Sequence, residues 1–229
     1  GYGNGYFMYL MGVLLLSQLI GMICWGPVMV KKSKKFTVLV GGPIRIVGTL
    51  ALLAFSYEGA PLVPVLLCTG LIGIGNAATL TSIFAILSDM ADVDELITSE
   101  RRPGVVSGMA TFARKISSGL SASAIGFLLS AVGYDEVLAS TGARQALSTQ
   151  RGIVGIFILV PTILVLVMLV CGIYFPITGR EFKVVQTEIS RRKGENSTPT
   201  SEEEKRICEK VCGLPYDSLW NKPYTRLKK

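Results

Sequence analysis

The sequence predicts an all-α membrane protein, a bundle of membrane-spanning helices followed by a polar tail. Half of its 229 residues are hydrophobic and only 17% are charged, whereas soluble domains usually carry about 25% charge. Residues 7–30 and 153–177 contain no charged residue, and 18 or more apolar residues suffice for a helix to cross the ~30 Å hydrocarbon layer. Basic clusters flank the apolar runs, as they do at membrane boundaries. These features exclude a soluble enzyme.

The apolar runs define five spanning segments. They cover about residues 7–30, 37–57, 62–88, 104–132 and 151–176. Residues 1–178 are therefore predicted to form the transmembrane bundle, and residues 179–229 a tail. Small residues are frequent in the third and fourth spans, while Pro43 and Pro161 interrupt the second and fifth. Such a composition is typical of helices that pack closely and kink.

The distribution of basic residues predicts the orientation. The lysines at 31–35, the segment 89–103 and the tail hold most of the positive charge, which places them on the cytoplasmic side of the plasma (inner) membrane. An odd number of spans and a first residue other than Met indicate that preceding helices are missing. The basic clusters lack the interleaved aromatic residues that stack nucleic acid bases. The bilayer is therefore the expected partner, and nucleic acid is not.

The fourth span carries a positive charge at its centre. Lys115 lies about 16 Å along the helix from Gly104 at 1.5 Å per residue, too deep for its ammonium to reach the interface easily. Thr111, Lys115 and Ser118 follow i, i+4, i+7 spacing and share a face. Intramembrane charge indicates function, so this face is predicted to bind a polyhydroxylated or anionic solute. The alternative is that Lys115 pairs with a carboxylate only to hold the bundle together.

Two further polar residues lie within the second and third spans. Arg45 follows Gly41-Gly42-Pro43, where it either extends toward the interface or pairs inside the bundle, and we favour a structural role. Asn76 ends the run of small residues that begins at Gly70. Its amide is a further candidate for substrate binding.

Acidic residues follow the third span at helical spacing. Asp89, Asp92 and Glu95 are spaced i, i+3, i+6, and Arg101 and Arg102 open the fourth span. Ion pairs between these groups could close a cytoplasmic gate that opens when the bundle rocks. The alternative is an ordinary solvated loop, in which each pair contributes at most about 1 kcal/mol.

No metal or enzymatic centre is expected. The chain has no histidine, and Cys208 and Cys212 have no second cysteine pair nearby. None of the 16 acidic residues lies deep in a span, so these segments offer no obvious general base. For the same reason, carboxylates that bind a coupling cation would have to come from a part of the protein that precedes this chain.

Several segments resemble the glycoside–pentoside–hexuronide:cation symporters, the melibiose-permease-like branch of the major facilitator superfamily. They are residues 88–104, 111–115, 126–134 and 206–220. The resemblance implies a major-facilitator-type bundle of twelve helices, of which this chain supplies about helices 8–12. It further implies symport of a sugar with Na⁺ or H⁺ by alternating access, with the cation site in the missing amino-terminal half.

The same resemblance implies roles for individual residues. Lys115 matches a functionally important lysine, and Thr111 a threonine that lines the cavity. Asp89 and Asp92 match an acidic pair, and Arg101 a loop arginine, of a cytoplasmic ion-pair network. The sequence departs from melibiose-type members at Leu80, where they carry a tryptophan in the sugar cavity.

A second hypothesis is a multi-span membrane scaffold whose basic cytoplasmic tail recruits a partner. It predicts that deletion of residues 195–229 destroys function and that Lys115 is dispensable. The transporter hypothesis predicts the reverse.

Overall fold

The described chain is built from helices. The computed structural model describes residues 4–57 and 59–220, and within these ranges no strand is present. The elements are α1 (Asn4–Lys31), α2 (Lys34–Leu53), α3 (Leu62–Thr98), α4 (Pro103–Ala131), α5 (Glu136–Ser140), α6 (Leu147–Tyr174), α7 (Gly179–Arg192), α8 (Glu202–Cys212) and a 3-10 turn (Tyr216–Ser218). This confirms the predicted all-α class.

Four of the long helices have the length and composition of membrane spans. They are α1 from Tyr6, α2, α3 and α6, and they coincide with the first, second, third and fifth predicted spans. The 29-residue α4 is long enough to cross a bilayer but is not among these four, because Arg114, Lys115 and many serines make it more polar. That α4 crosses the membrane stays a prediction.

The predicted polar segment 89–103 is mostly helical instead of a loop. Helix α3 continues to Thr98 and ends at Ser99, whose φ of 59° reverses the chain. Ala91, Val93 and Leu96 are at most 4% exposed, so an apolar face alternates with the acidic one and finds a packing surface. Burial of that face explains why the helix extends beyond the membrane boundary expected from hydropathy.

Helix α3 is the centre of the bundle, with α1 and α2 packed against it. A Cβ atom at Gly75 would lie 2.6 Å from the backbone nitrogen of Arg45, and one at Gly21 would lie 2.7 Å from the Cβ of Ala77. The indole nitrogen of Trp25 donates a hydrogen bond of 3.0 Å to the carbonyl of Ile74. The small residues of the third span therefore allow the close helix approach that the sequence predicts.

We expect Gly75→Ala to lower the stability of the bundle by about 1–3 kcal/mol. The added Cβ would meet the backbone of α2, since the carbonyl oxygen of Gly41 would be only 2.7 Å away, and the helices would have to separate. Gly70→Ala on the same helix is the control, because its nearest neighbour would be Val13 Cγ1 at 4.0 Å. Thermal unfolding of the detergent-solubilised protein measures both. Equal stability of the Gly75→Ala and Gly70→Ala variants would show that the close contact between α2 and α3 at Gly75 does not contribute to the stability of the bundle.

The tail packs onto the carboxy-terminal end of α3. Ile177, Val185, Ile189, Cys208 and Leu219 form a buried cluster with Val93 and Leu96 of α3, and the amide of Trp220 donates to the carbonyl of Leu96 at 2.9 Å. The apolar face of α7, which carries Val185 and Ile189, thus lies against protein. Side chains of α3 and of the tail therefore share one core.

Helix α8 begins where its sequence indicates. The Ser201 hydroxyl accepts from the amide of Glu204 at 3.2 Å, and the Glu204 carboxylate accepts from the amide of Ser201 at 2.9 Å. This reciprocal capping box satisfies two amides at the helix start. The capping box therefore sets the amino-terminal end of α8.

Candidate functional site

The acidic face at the carboxy-terminal end of α3 forms ion pairs in the structure. Because Asp92 and Glu95 lie nearly one turn apart, both face the loop that leads to α4. The Arg101 guanidinium lies 3.1 Å from Asp92 Oδ1 and 4.0 Å from Glu95 Oε2. The hypothesis of a gate groups these three residues, and in the structure they are in contact.

Two of the other predicted gate residues have partners that the sequence analysis missed. Asp89 pairs with Lys34 at the start of α2. Arg102 binds Asp94 through two hydrogen bonds of 2.7 and 3.0 Å, and Asp94 lies off the predicted acidic face. Bidentate pairing of this kind fixes the guanidinium orientation.

Glu95 connects this network to the tail. Its Oε1 lies 2.7 Å from Lys193 Nζ at the end of α7. The carboxylates of Asp89 and Glu95 are only 7% and 8% exposed, so they need paired cations. The pairs thus join α2, the loop before α4 and the tail to α3, all within this chain.

The predicted substrate-binding residues do not form one group in the described chain. Thr111, Lys115 and Ser118 are exposed, and no residue of α4 is buried. Helix α4 meets α3 near Pro103 and Ser107 and its far end lies beside α6. No hydrogen bond or ion pair within residues 4–57 and 59–220 joins Lys115 to Asn76. The assignment of these residues to one substrate path stays a prediction.

Asn76 instead belongs to a polar cluster formed by three helices. Its Oδ1 accepts from Arg45 Nη1 at 3.4 Å, and its Nδ2 donates to Gln18 Oε1 at 3.5 Å. All three side chains are half-buried. We call Gln18, Arg45 and Asn76 the midplane cluster.

The three residues of the midplane cluster lie at a similar depth. Arg45 is about 16 Å along α2 from Lys34. Asn76 is about 20 Å along α3 from Asp89, and Gln18 is about 20 Å along α1 from Lys31. The sequence analysis missed Gln18 and treated Arg45 separately. The sequence signal that could have identified the cluster is an amide or guanidinium side chain near the middle of each of the first three spans.

A second polar group is buried in the tail. Glu188 is 1% exposed and accepts hydrogen bonds from Arg192 at 2.9 Å, Arg191 at 3.2 Å and Thr200 at 3.0 Å, with a further bond from the Tyr216 hydroxyl. Burial opposes ionisation, but these hydrogen bonds together hold the pKa of Glu188 below its ordinary value. The charge therefore organises the tail core.

The two tail cysteines lie beside this group. Burial raises the pKa of the Cys208 thiol to about 12 and that of Cys212 to about 11. Metal ligation requires the thiolate, which these surroundings disfavour. Within the described ranges, no three potential metal-ligating side chains lie together. The two thiols are packing groups of the tail core.

Long apolar helices joined by glycine contacts, with polar side chains at mid-depth, are the features of a multi-pass membrane protein. Comparison with known proteins narrows this class. Residues 3–179 match the model of the MFS/sugar transport protein family, and the chain belongs to that family. This confirms the resemblance and the major-facilitator-type fold, and it favours a transporter over an enzyme.

The chain is also similar in sequence to a curated protein. The chain is 27% identical over 189 residues to the glucuronide carrier protein homolog of Escherichia coli (strain K12), and the match covers 79% of this chain and 39% of that protein. The chain thus spans about two fifths of its relative. No solved structure matches significantly.

Proposed function

We propose that this chain is the carboxy-terminal portion of a secondary active transporter that carries a sugar together with a cation by alternating access. The observation that carries the proposal is the placement of strongly polar side chains at mid-depth in long apolar helices. Such groups are costly in hydrocarbon and mark solute or ion pathways. Membership of a sugar-transport family supports a sugar as the solute.

The proposed substrate path includes Lys115, Thr111, Ser118 and Asn76. An ammonium, two hydroxyls and an amide supply donors and acceptors that match sugar hydroxyls. The face of α4 that carries three of them is exposed and is available to solute or to other helices. The name of the relative, a glucuronide carrier homolog, supports a hexuronide among the glycoside, pentoside and hexuronide classes.

The proposed gate consists of Asp89, Asp92, Glu95, Arg101 and Arg102, together with Lys34. Their ion pairs hold the inner ends of α2 and α3 and the start of α4 as one unit. In alternating access, units of this kind rock against the other half of the transporter. The coupling cation, Na⁺ or H⁺, is proposed to bind outside this chain, since the spans contain no acidic residue at depth.

The proposed orientation places the tail in the cytoplasm and the bundle in the plasma (inner) membrane. The lysines of residues 31–35 and the basic residues of α7 lie at the same end of the bundle, where Lys35 donates to the carbonyl oxygens of Ile173 and Phe175. Concentration of positive charge at one end supports this orientation.

Uptake by the full-length transporter in sealed proteoliposomes tests the proposed function. We expect accumulation of a labelled glycoside or glucuronide under an inward Na⁺ or H⁺ gradient, and loss of accumulation when an ionophore removes that gradient. Protein-free liposomes are the control. Absence of accumulation for glycosides, pentosides and hexuronides in both gradients would contradict the proposal.

A further inference from the structure

We propose that Arg45 binds a carboxylate of the transported solute, with Asn76 and Gln18 completing the site. The inference rests on the proposed function and deepens it, since it assigns the residue that would select an acidic sugar. The alternative is that Arg45 only holds the helices together.

The first argument is the incomplete pairing of the guanidinium. Arginine offers five N–H donors, but the one hydrogen bond found for Arg45 in the described chain joins Nη1 to Asn76 at 3.4 Å. The next link, from Asn76 to Gln18, is also long at 3.5 Å. Good N–H···O hydrogen bonds are about 2.9–3.0 Å. The cluster therefore has donors left to bind a further acceptor.

The second argument is charge. Within residues 4–57 and 59–220, no carboxylate forms an ion pair with Arg45, and the acidic residues of α3 begin about 20 Å away at Asp89. Lys115 adds a second positive charge at mid-depth. The described spans thus hold cations and no acidic residue at this level. An intramembrane cation needs a partner, and a solute anion would supply it during transport.

The third argument is the shape of the group. A guanidinium matches a carboxylate through two parallel hydrogen bonds, which an ammonium cannot form. The base of Arg45 is fixed, because its backbone packs against Gly75 and its carbonyl accepts from Thr49 at 2.9 Å. The amides of Asn76 and Gln18 can donate to and accept from sugar hydroxyls. The site is therefore suited to a sugar acid.

The test compares a glucuronide with the glucoside of the same aglycone, which differs only at C6, on the full-length transporter. Binding is measured by calorimetry and uptake in proteoliposomes. We expect Arg45→Gln to weaken glucuronide binding and uptake at least 10-fold while changing those of the glucoside less than 3-fold. Arg45→Lys should be intermediate, because it keeps the charge but loses the bidentate geometry. Arg151→Gln, at an exposed arginine near the start of α6, is the matched control.

The outcomes separate the two proposals. Equal loss for both sugars in correctly inserted Arg45→Gln and Arg45→Lys, or no loss in either variant, would overturn carboxylate binding by Arg45. Wild-type protein that binds only the glucoside would overturn it as well. Binding of the glucuronide that depends on Arg45 without any uptake would support this site while refuting the transport function.

Discussion

Replacing Lys115 with alanine is expected to lower sugar uptake by roughly 10- to 100-fold. A hydrogen bond to a charged group contributes about 1.5–3 kcal/mol, and each 1.4 kcal/mol changes an equilibrium constant tenfold. Lys115 is exposed on a helix without buried residues, so its loss should not disturb packing. Initial uptake rates of the full-length transporter, normalised to protein in the membrane, measure the effect.

A neighbouring cation provides the control for Lys115→Ala. Arg114 is equally exposed but projects about 100° around the helix from Lys115, beyond the opposite edge of the stripe that Thr111, Lys115 and Ser118 form. We expect Arg114→Ala to retain most uptake. A cysteine at position 115, in a protein without other cysteines, should react with a water-soluble thiol reagent and be protected by substrate. Normal uptake by Lys115→Ala would remove this residue from the proposed path.

Replacing Glu188 with alanine is expected to destabilise the tail core by about 3–5 kcal/mol, the usual effect of removing one partner from a buried ion pair. Arg191, with a side chain 11% exposed, would lose one of its two carboxylate partners. Cys208 supplies the measurement, because it is 0% exposed and reacts only when the tail opens. In a protein that retains this cysteine alone, we expect much faster labelling in Glu188→Ala.

The matched control for Glu188→Ala is Glu203→Ala. Glu203 also pairs with an arginine, Arg180, but both side chains are about 70% exposed, so the cost of its removal should be below about 1 kcal/mol. Labelling of Cys208 at the same rate in both variants would show that the buried charge does not hold the tail.

Acidification should open the tail of the wild-type protein. The pKa of Glu188 is lowered on folding, so its contribution to stability is complete above the ordinary carboxyl pKa of about 4.3. That contribution is lost as the pH falls below this value, because protonation then favours the unfolded tail. Circular dichroism between pH 6 and 3 should show the transition in wild type and a smaller pH dependence in Glu188→Ala.

The positions of most elements could be predicted because they depend on local patterns. Uninterrupted apolar runs predicted α1, α2, α3 and α6 to within a few residues at most of their ends. The carboxy-terminal end of α3 is the exception. Hydropathy alone ends that span near residue 88, but the helix runs to Thr98 because the tail, distant in sequence, covers Val93 and Leu96.

Pairing between side chains was only partly predictable. The spacing of Asp92, Glu95 and Arg101 is local, and the structure brings these three residues together. The contact of Asp89 with Lys34 crosses from α3 to α2, and Lys193 reaches Glu95 from the tail. By sequence, any of the four lysines within residues 31–35 could pair with Asp89. The packing of α2 against α3 determines that Lys34 is the one in contact.

Hydropathy and charge patterns were enough to predict an all-α, multi-span membrane protein with basic residues grouped at the ends of its spans, because both act through each segment's own contact with lipid and water. Its local motifs also carried the family resemblance. Which side chains meet at mid-depth, and which residues the tail covers, depend on contacts between helices that are distant in sequence. Gln18, Arg45 and Asn76 lie on three different helices, and they meet because close packing around α3 sets the helices in register.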